Sequence, residues 1–309
     1  MEKPSSRDRW LPLEERKCSR KKKMKEETLE IFGHYLGAPL PFVDIEVKGM
    51  LVHFLVDTGC VISAITREQL AVLGYEESEL ERGLTKLPQL GYLWLDYKVN
   101  SVEGGMIFAV LDDSANLLGR DFLIGHCCVI DLNRGRLTLR DEFQFQVWEP
   151  LRTTVSIEGR NVDMEVDTGT ESILSGSLSL ARELNLPLEP VKGMSVLGVG
   201  FRGAVPYQAR NVCASAFGRE MRNAYYIVDP KETPEGQQVP LLGAPFFVGL
   251  EIHLRRDGSM EVKFPAGRPR WKGITDPDGL GEGGGAAGHQ KEPQETDEEL
   301  PAACYNGAF

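Results

Sequence analysis

The residues with the clearest chemical potential are two copies of the tripeptide Asp-Thr-Gly, at Asp57-Thr58-Gly59 and Asp167-Thr168-Gly169. Each copy ends an apolar run, and the copies lie 110 positions apart. Two adjacent carboxyl groups share one proton, so that the charged one activates a water and the other donates a proton. A single copy is equally typical of a turn, so the prediction depends on whether the flanking sequence also repeats.

The sequence before each tripeptide does repeat. Val43-Asp44-Ile45-Glu46-Val47 alternates apolar and polar residues, and Thr153-Thr154-Val155-Ser156-Ile157 does so more loosely, which predicts a strand in each half. Lys48-Gly49 and Glu158-Gly159 supply turns. A second strand then leads into each Asp-Thr-Gly.

Further landmarks follow in the same order. Each half has a helical pattern after its tripeptide, at Thr66 to Leu73 and at Leu178 to Leu184. An apolar-apolar-Gly segment comes later in each, at Leu117-Leu118-Gly119 and Leu241-Leu242-Gly243. Because three landmarks recur in order, two unrelated β-rich stretches sharing a turn sequence are a poor explanation. The sequence predicts two similar lobes.

This order of elements resembles the retroviral-type aspartic proteases (retropepsins) and their retrotransposon-derived relatives. The family's C-terminal Gly motif is especially similar to the segment Asn116-Leu117-Leu118-Gly119-Arg120-Asp121-Phe122-Leu123. The resemblance covers roughly Leu40 to Phe264. It implies an all-β fold of two retropepsin-like closed β-barrel lobes, packed as a pseudo-dimer with the active site between them. In the family two identical lobes form a homodimer, whereas here both lie in one chain.

The resemblance also assigns roles within the two tripeptides. The catalytic residues would be Asp57 and Asp167, and which of them carries the shared proton is left open. The threonine hydroxyls would reach across between the lobes, and the glycines would let backbone approach the carboxylates. These supporting residues are Thr58, Gly59, Thr168 and Gly169. The two Leu-Leu-Gly segments would pack behind the catalytic loops.

Substrate in the family lies under Gly-rich hairpin flaps. In the second half Gly193 to Gly203 fits a flap, with Gly198, Val199 and Gly200 as candidate substrate-binding residues. The first-half equivalent, near Thr85 to Trp94, has only Gly91 at its centre and therefore departs from the pattern. Ordinary hairpin turns are the alternative for both stretches.

The charged residues near the two tripeptides also differ from the family pattern. Arg120 follows the distal Gly of the first half, and Ala244 takes that place in the second. Arg120 could pair with Glu171 across the lobes or with its neighbour Asp121, and facing solvent is the default expectation for such an arginine.

Composition narrows the function classes. The 309 residues are 41% hydrophobic with a net charge of −11, which allows two folded lobes and does not favour nucleic-acid binding by the folded body. No run approaches the ~20 apolar residues of a membrane span, and the polar start is no secretory signal. The six cysteines and five histidines show no zinc-like spacing. We therefore expect no metal or organic cofactor, reduced thiols and a cytoplasmic location.

The predicted domains are a flexible basic N-terminal arm at 1–35, lobes at 36–148 and 149–265, and a disordered Gly/acidic tail at 266–309. The basic run Arg20 to Lys25 leaves nuclear targeting as an option.

Together these features predict an aspartic endopeptidase that hydrolyses peptide bonds in proteins or polyproteins. The alternative is an inactive member of the fold that binds a peptide or protein partner. A monomer acting as a pseudo-dimer is expected, and a domain-swapped dimer is the other possibility.

Overall fold

The structure is a computed structural model that describes residues 26–32, 40–81, 89–112, 115–145, 149–198, 201–230, 239–265 and 303–305. The secondary structure of these residues is mostly β. Among them, no helix has the length and apolarity needed to cross a membrane.

The strands of the described residues are, in chain order, β1 (Glu27–Glu30), β2 (Phe42–Val47), β3 (Met50–Val56), β4 (Ala64–Thr66), β5 (Gln89–Val99), β6 (Val102–Leu111), β7 (Asn116–Leu118), β8 (Val129–Asp131), β9 (Arg136–Leu139), β10 (Arg152–Ile157), β11 (Arg160–Asp167), β12 (Leu174–Gly176), β13 (Leu188–Pro190), β14 (Ser195–Gly198), β15 (Phe201–Ala204), β16 (Tyr207–Ala216), β17 (Arg219–Val228), β18 (Leu241–Gly243), β19 (Glu251–Leu254), β20 (Met260–Lys263) and β21 (Ala303–Tyr305).

The first lobe is a closed barrel with strand order β2-β3-β7-β4-β6-β5, closed by pairing of β2 with β5. Its first hairpin turns at Lys48 (φ 53°) and Gly49 (φ 78°). Two successive residues with positive φ are typical of the tight turn whose twist suits a two-residue hairpin. The predicted turn is therefore confirmed.

The second lobe repeats this plan. Its strands follow the order β10-β11-β18-β12-β17-β16, β10 also pairs with β16, and β13 adds to the outside of β16. Glu158 (φ 48°) and Gly159 (φ 77°) form the matching turn. Two closed six-stranded barrels confirm the predicted all-β, two-lobed fold.

The short helices are α1 (Arg67–Val72), α2 (Arg120–Gly125) and α3 (Leu178–Glu183), with 3-10 turns at Glu77–Glu79 and Ala244–Phe247. Equivalent side chains cap α1 and α3: the hydroxyl of Thr66 accepts from Gln69 N and that of Ser177 accepts from Leu180 N. Such caps satisfy amides that have no partner within the helix. The two predicted helical patches are confirmed.

A five-stranded sheet joins the lobes, in the order β1-β9-β8-β19-β20. The pairing of β8 with β19, in register from Glu251 opposite Asp131 to His253 opposite Val129, is the seam. Strand β1 lies in the segment 1–35 that was predicted to be a flexible arm, and this is a correction: Glu27–Glu30 pair with β9 along their whole length. Residues 1–25 of that arm lie outside the described residues.

The small sheet β15-β14-β21 belongs to the second lobe's predicted flap. Its hairpin pairs Ser195 with Ala204 through to Gly198 with Phe201. Strand β21 pairs in parallel with β14, which corrects the prediction that 266–309 is disordered throughout, because the edge of β14 provides backbone partners for Ala303–Tyr305. The rest of that tail lies outside the described residues.

Candidate active site

Each Asp-Thr-Gly lies at the end of a barrel strand, β3 or β11. That strand pairs in parallel with the strand formed by the Leu-Leu-Gly segment of the same lobe, β7 or β18. The amide of Asp57, directly after β3, donates to Leu118 O on β7 at 3.0 Å. In the second lobe Asp167 lies opposite Gly243 in the parallel pairing of β11 with β18. The two Leu-Leu-Gly segments thus lie directly beside the two Asp-Thr-Gly loops, as expected.

The two loops hold each other through a reciprocal set of four hydrogen bonds between buried groups. The Thr58 hydroxyl donates to Val166 O (2.7 Å) and accepts from Thr168 N (3.0 Å). The Thr168 hydroxyl donates to Val56 O (2.6 Å) and accepts from Thr58 N (3.1 Å). Each threonine therefore bonds to backbone of the other lobe, and this arrangement brings Asp57 and Asp167 together.

The carboxyl groups are fully buried but differ in their hydrogen bonds. Asp57 Oδ1 accepts from the amides of Gly59 (2.9 Å) and Cys60 (3.0 Å), whereas its Oδ2 accepts from no amide or hydroxyl among the described residues. Asp167 Oδ1 accepts from Gly169 N (2.8 Å), and its Oδ2 accepts from the Thr170 hydroxyl (3.0 Å). The two aspartates are therefore neighbours, but their carboxyl groups accept different sets of hydrogen bonds.

Burial raises the pKa of both carboxyl groups because the charged form loses solvation. It raises the pKa of Asp57 to about 6. Hydrogen bonds from Asp167 and from the amides of Cys60 and Gly59 act in the opposite direction, because they stabilise the charged form of Asp57. The pKa of Asp167 lies well above its ordinary value, through burial first and then the negative charge of Asp57. Between these two titrations the dyad holds one proton.

Glycine is required where the two loops meet. A Cβ on Gly169 would lie 2.6 Å from Asp57 Cγ. A Cβ on Gly119 would lie 2.9 Å from Ser63 N, and one on Gly243 would lie 1.9 Å from Ser172 O. These glycines let the supporting segments approach the catalytic loops closely.

Arg120 does not face solvent and does not pair with Glu171 or Asp121. This corrects the expectations drawn from the sequence. It is 1% exposed, and its Nη1 donates to Glu165 Oε1 (2.8 Å), Thr58 O (2.9 Å) and Gly59 O (3.2 Å). Glu165 lies on β11 of the other lobe and is also buried. A buried arginine needs such partners, because its charge otherwise loses solvation without compensation.

Asp121 supports the first loop independently of Arg120. Its carboxyl group accepts from Ser63 N (2.9 Å), the Ser63 hydroxyl (2.7 Å) and Phe122 N (2.8 Å), while Ser63 Oγ accepts from Gly119 N. Burial raises the pKa of Asp121 to about 6. Sequence reasoning missed this contact, since nothing in the spacing of Ser63 and Asp121 marks them as neighbours.

The predicted flap residues are only partly within the described chain. Gly198 ends β14, whereas Val199 and Gly200 lie outside the described residues. Gly91 lies inside β5, not at the centre of a hairpin turn, which corrects its placement. Its missing Cβ makes room for Glu81 O and Leu80 Cβ, each 2.9 Å from the Cβ position, so Gly91 allows close strand packing.

Throughout the described ranges, no group of three or more His, Cys, Asp or Glu side chains is arranged to hold a metal ion. Four cysteines within these ranges, Cys60, Cys127, Cys128 and Cys213, are free thiols. The Cys60 thiol donates to Ile62 O at 3.0 Å and not to the dyad.

No protein-family model matches the chain, and no curated protein does. Among solved structures, the chain is similar to a retropepsin-like aspartic protease from Rickettsia conorii (23% identity, TM-score 0.30, covering 37% of this chain and 91% of that one). It is also similar to the retroviral protease-like domain of Ddi1 from Leishmania major (21%, 0.30, 35% and 96%). A third is the EIAV protease complexed with the inhibitor HBY-793 (21%, 0.25, 29% and 90%).

Proposed function

We propose that this protein is an aspartic endopeptidase that hydrolyses peptide bonds with a water activated between Asp57 and Asp167. The observation that carries the proposal is the dyad itself: two buried carboxyl groups, one from each lobe, fixed to one another by the reciprocal Thr58 and Thr168 hydrogen bonds. Within the described part of the chain, the groups that donate hydrogen bonds to these carboxyl groups are backbone amides and the Thr170 hydroxyl, not the cation of a structural ion pair.

The chemistry follows from the shared proton. The ionised carboxylate takes a proton from the water as its oxygen attacks the scissile carbonyl carbon, and the protonated carboxyl group donates to the carbonyl oxygen. The dyad then gives its proton to the leaving nitrogen as the carbon–nitrogen bond breaks. One hydroxyl of the tetrahedral diol returns a proton to the dyad as the carbonyl of the new acid forms, so the dyad again holds one proton. No metal or organic cofactor takes part in this scheme.

The substrate we propose is an extended peptide bound between the lobes under the β14–β15 hairpin. The base of that hairpin is anchored by buried Val196 and Val205, which pack with Ile227. Both carboxyl groups are buried, so a flap role for this hairpin predicts that it moves when substrate enters. We further propose that the two lobes of one chain form the site, with a swapped dimer as the alternative assembly.

The test is cleavage of a peptide library by the wild type, Asp57→Asn and Asp167→Asn, with gel filtration of each. We expect a monomeric wild type that cuts and two inactive single variants. Asp163→Asn is the matched control, because Asp163 is an exposed carboxylate on β11, the strand that carries Asp167. Activity retained by one dyad variant would exclude a shared site. A folded wild type that binds peptides without cutting them would favour the inactive adaptor.

A further inference from the structure

A single buried ion pair breaks the symmetry between the lobes. Arg120 begins α2 in the first lobe, and Glu165 lies two residues before Asp167 in the second. In the repeat, the position equivalent to Arg120 is Ala244 and the position equivalent to Glu165 is Leu55. A symmetric pair of lobes would hold this ion pair twice or not at all.

The positive end of the ion pair lies beside the Asp57 loop, and its negative end lies on the strand of Asp167. Its positive end donates hydrogen bonds to the carbonyls of Thr58 and Gly59, the two residues that follow Asp57. Its negative end stands on the same strand as Asp167. Both ends are buried, where charges act on one another more strongly than in water.

We propose that Arg120 and Glu165 act as a positioning pair that places the shared proton on Asp167 and leaves Asp57 ionised. Resting on the function proposed above, this makes Asp57 the base that activates the water and Asp167 the acid that protonates the carbonyl oxygen. The roles that the sequence left open are thus assigned by a contact outside the dyad.

The electrostatic effects on each carboxyl group agree with this direction. Burial raises both pKa values, and the hydrogen bond between the two carboxyl groups lowers that of Asp57 and raises that of Asp167. The ion pair acts in the same direction, because the charge of Arg120 lowers the pKa of Asp57 and the charge of Glu165 raises that of Asp167. The Thr170 hydroxyl opposes the proposal, because its hydrogen bond lowers the pKa of Asp167. Asp57 in turn accepts from the amides of Gly59 and Cys60, whose hydrogen bonds lower its own pKa. Each carboxyl group thus has two amide or hydroxyl donors, and the proposal assigns the direction of the proton to the ion pair.

Three further ionisable groups surround these residues. The Cys60 thiol is kept neutral by burial, which raises its pKa. Asp121 contacts Ser63 behind the first loop and is not hydrogen-bonded to the dyad. Burial raises the pKa of Glu165, and the charges of Arg120 and Arg152 act against that rise.

The experiment is carbon NMR of the full chain with aspartate labelled at the carboxyl carbon, titrated from about pH 3 to 9. The Asp57 and Asp167 signals are assigned from the Asp57→Asn and Asp167→Asn spectra. In the range where the dyad holds one proton, the two shifts report how that proton is divided. Glu165→Gln removes the negative charge but keeps an oxygen for Arg120, and Arg120→Ala with Glu165→Leu gives both lobes the same residue types.

We expect the wild-type proton to reside mainly on Asp167. In Glu165→Gln the ratio of the two one-proton forms should fall about tenfold, which corresponds to about one pKa unit. The symmetrised double variant should lose the preference, because the amide and hydroxyl hydrogen bonds that remain are two at each carboxyl group. Asp163→Asn, which removes an exposed charge from the same strand, should leave the ratio unchanged.

A wild-type proton residing mainly on Asp57 would overturn the proposal. So would an unchanged ratio in Glu165→Gln with a native-like amide spectrum, and this single variant decides the matter if the double variant fails to fold. The NMR readout needs no peptide cleavage, so failure of the proton assignment and failure of the proposed protease function are observed separately.

Discussion

The threonine hydrogen bonds between the lobes allow a quantitative prediction. Thr58→Val keeps the shape of the side chain but removes the hydroxyl that donates to Val166 O and accepts from Thr168 N. Both partners are deeply buried backbone groups. A buried polar group that loses its partner costs about 1–3 kcal/mol, so two such losses should destabilise the protein by about 2–6 kcal/mol.

The assay is urea unfolding at constant pH, with Thr58→Ser as the matched control. Serine retains the hydroxyl and loses one methyl group, which costs about 1 kcal/mol. Thr168→Val should match Thr58→Val, because its hydroxyl makes the equivalent pair of bonds with Val56 O and Thr58 N. If Thr58→Val is as stable as Thr58→Ser, the hydroxyl does not join the lobes and the reasoning is refuted.

Three further predictions concern the dyad. With the pKa of Asp57 at about 6, kcat/KM should fall about tenfold per pH unit below pH 6, where the base is protonated; a flat profile from pH 4 to 7 would contradict this. Raising that pKa from 3.8 to about 6 favours folding at low pH, and this stability is lost as pH rises through 6. Urea unfolding of Asp57→Asn should therefore show a gain over wild type of up to about 3 kcal/mol at pH 7.5 and little gain at pH 3.5. Gly169→Ala should abolish cleavage in a peptide assay, because its Cβ would displace the Asp57 carboxyl group; near-normal kcat/KM would show that the contact relaxes.

The sequence predicted the parts of the fold that depend on local pattern and internal repetition. The turns at Lys48-Gly49 and Glu158-Gly159 follow from local backbone preference, and the two helical patches follow from periodicity and caps. Pairing of Asp57 with Asp167 was predictable only because each lobe repeats the elements around its own aspartate.

The parts that failed depend on contacts between distant segments. Strand β1 has a single apolar residue, Leu29, and no turn signal that ties it to β9, so only the tertiary structure shows that Glu27–Glu30 pair with that strand. The Arg120–Glu165 pair was missed although a signal existed. Glu165 lies between Met164 and Val166 where the other lobe has Leu55, and an acid in the buried part of a strand needs a partner.

The shared sheet has a consequence for each lobe taken alone. Strand β8 is flanked by β9 on one side and by β19 of the other lobe on the other. A first lobe separated from the second would expose the β8 edge as a row of unpaired amides and carbonyls, the kind of edge that recruits another strand. In the intact chain this edge pairs antiparallel with β19. In a separate lobe the same edge could pair antiparallel with the β8 of a second copy, because antiparallel pairing is compatible with two-fold symmetry. Fusion of the lobes in one chain thus supplies the covering strand that a separate lobe would have to find in solution.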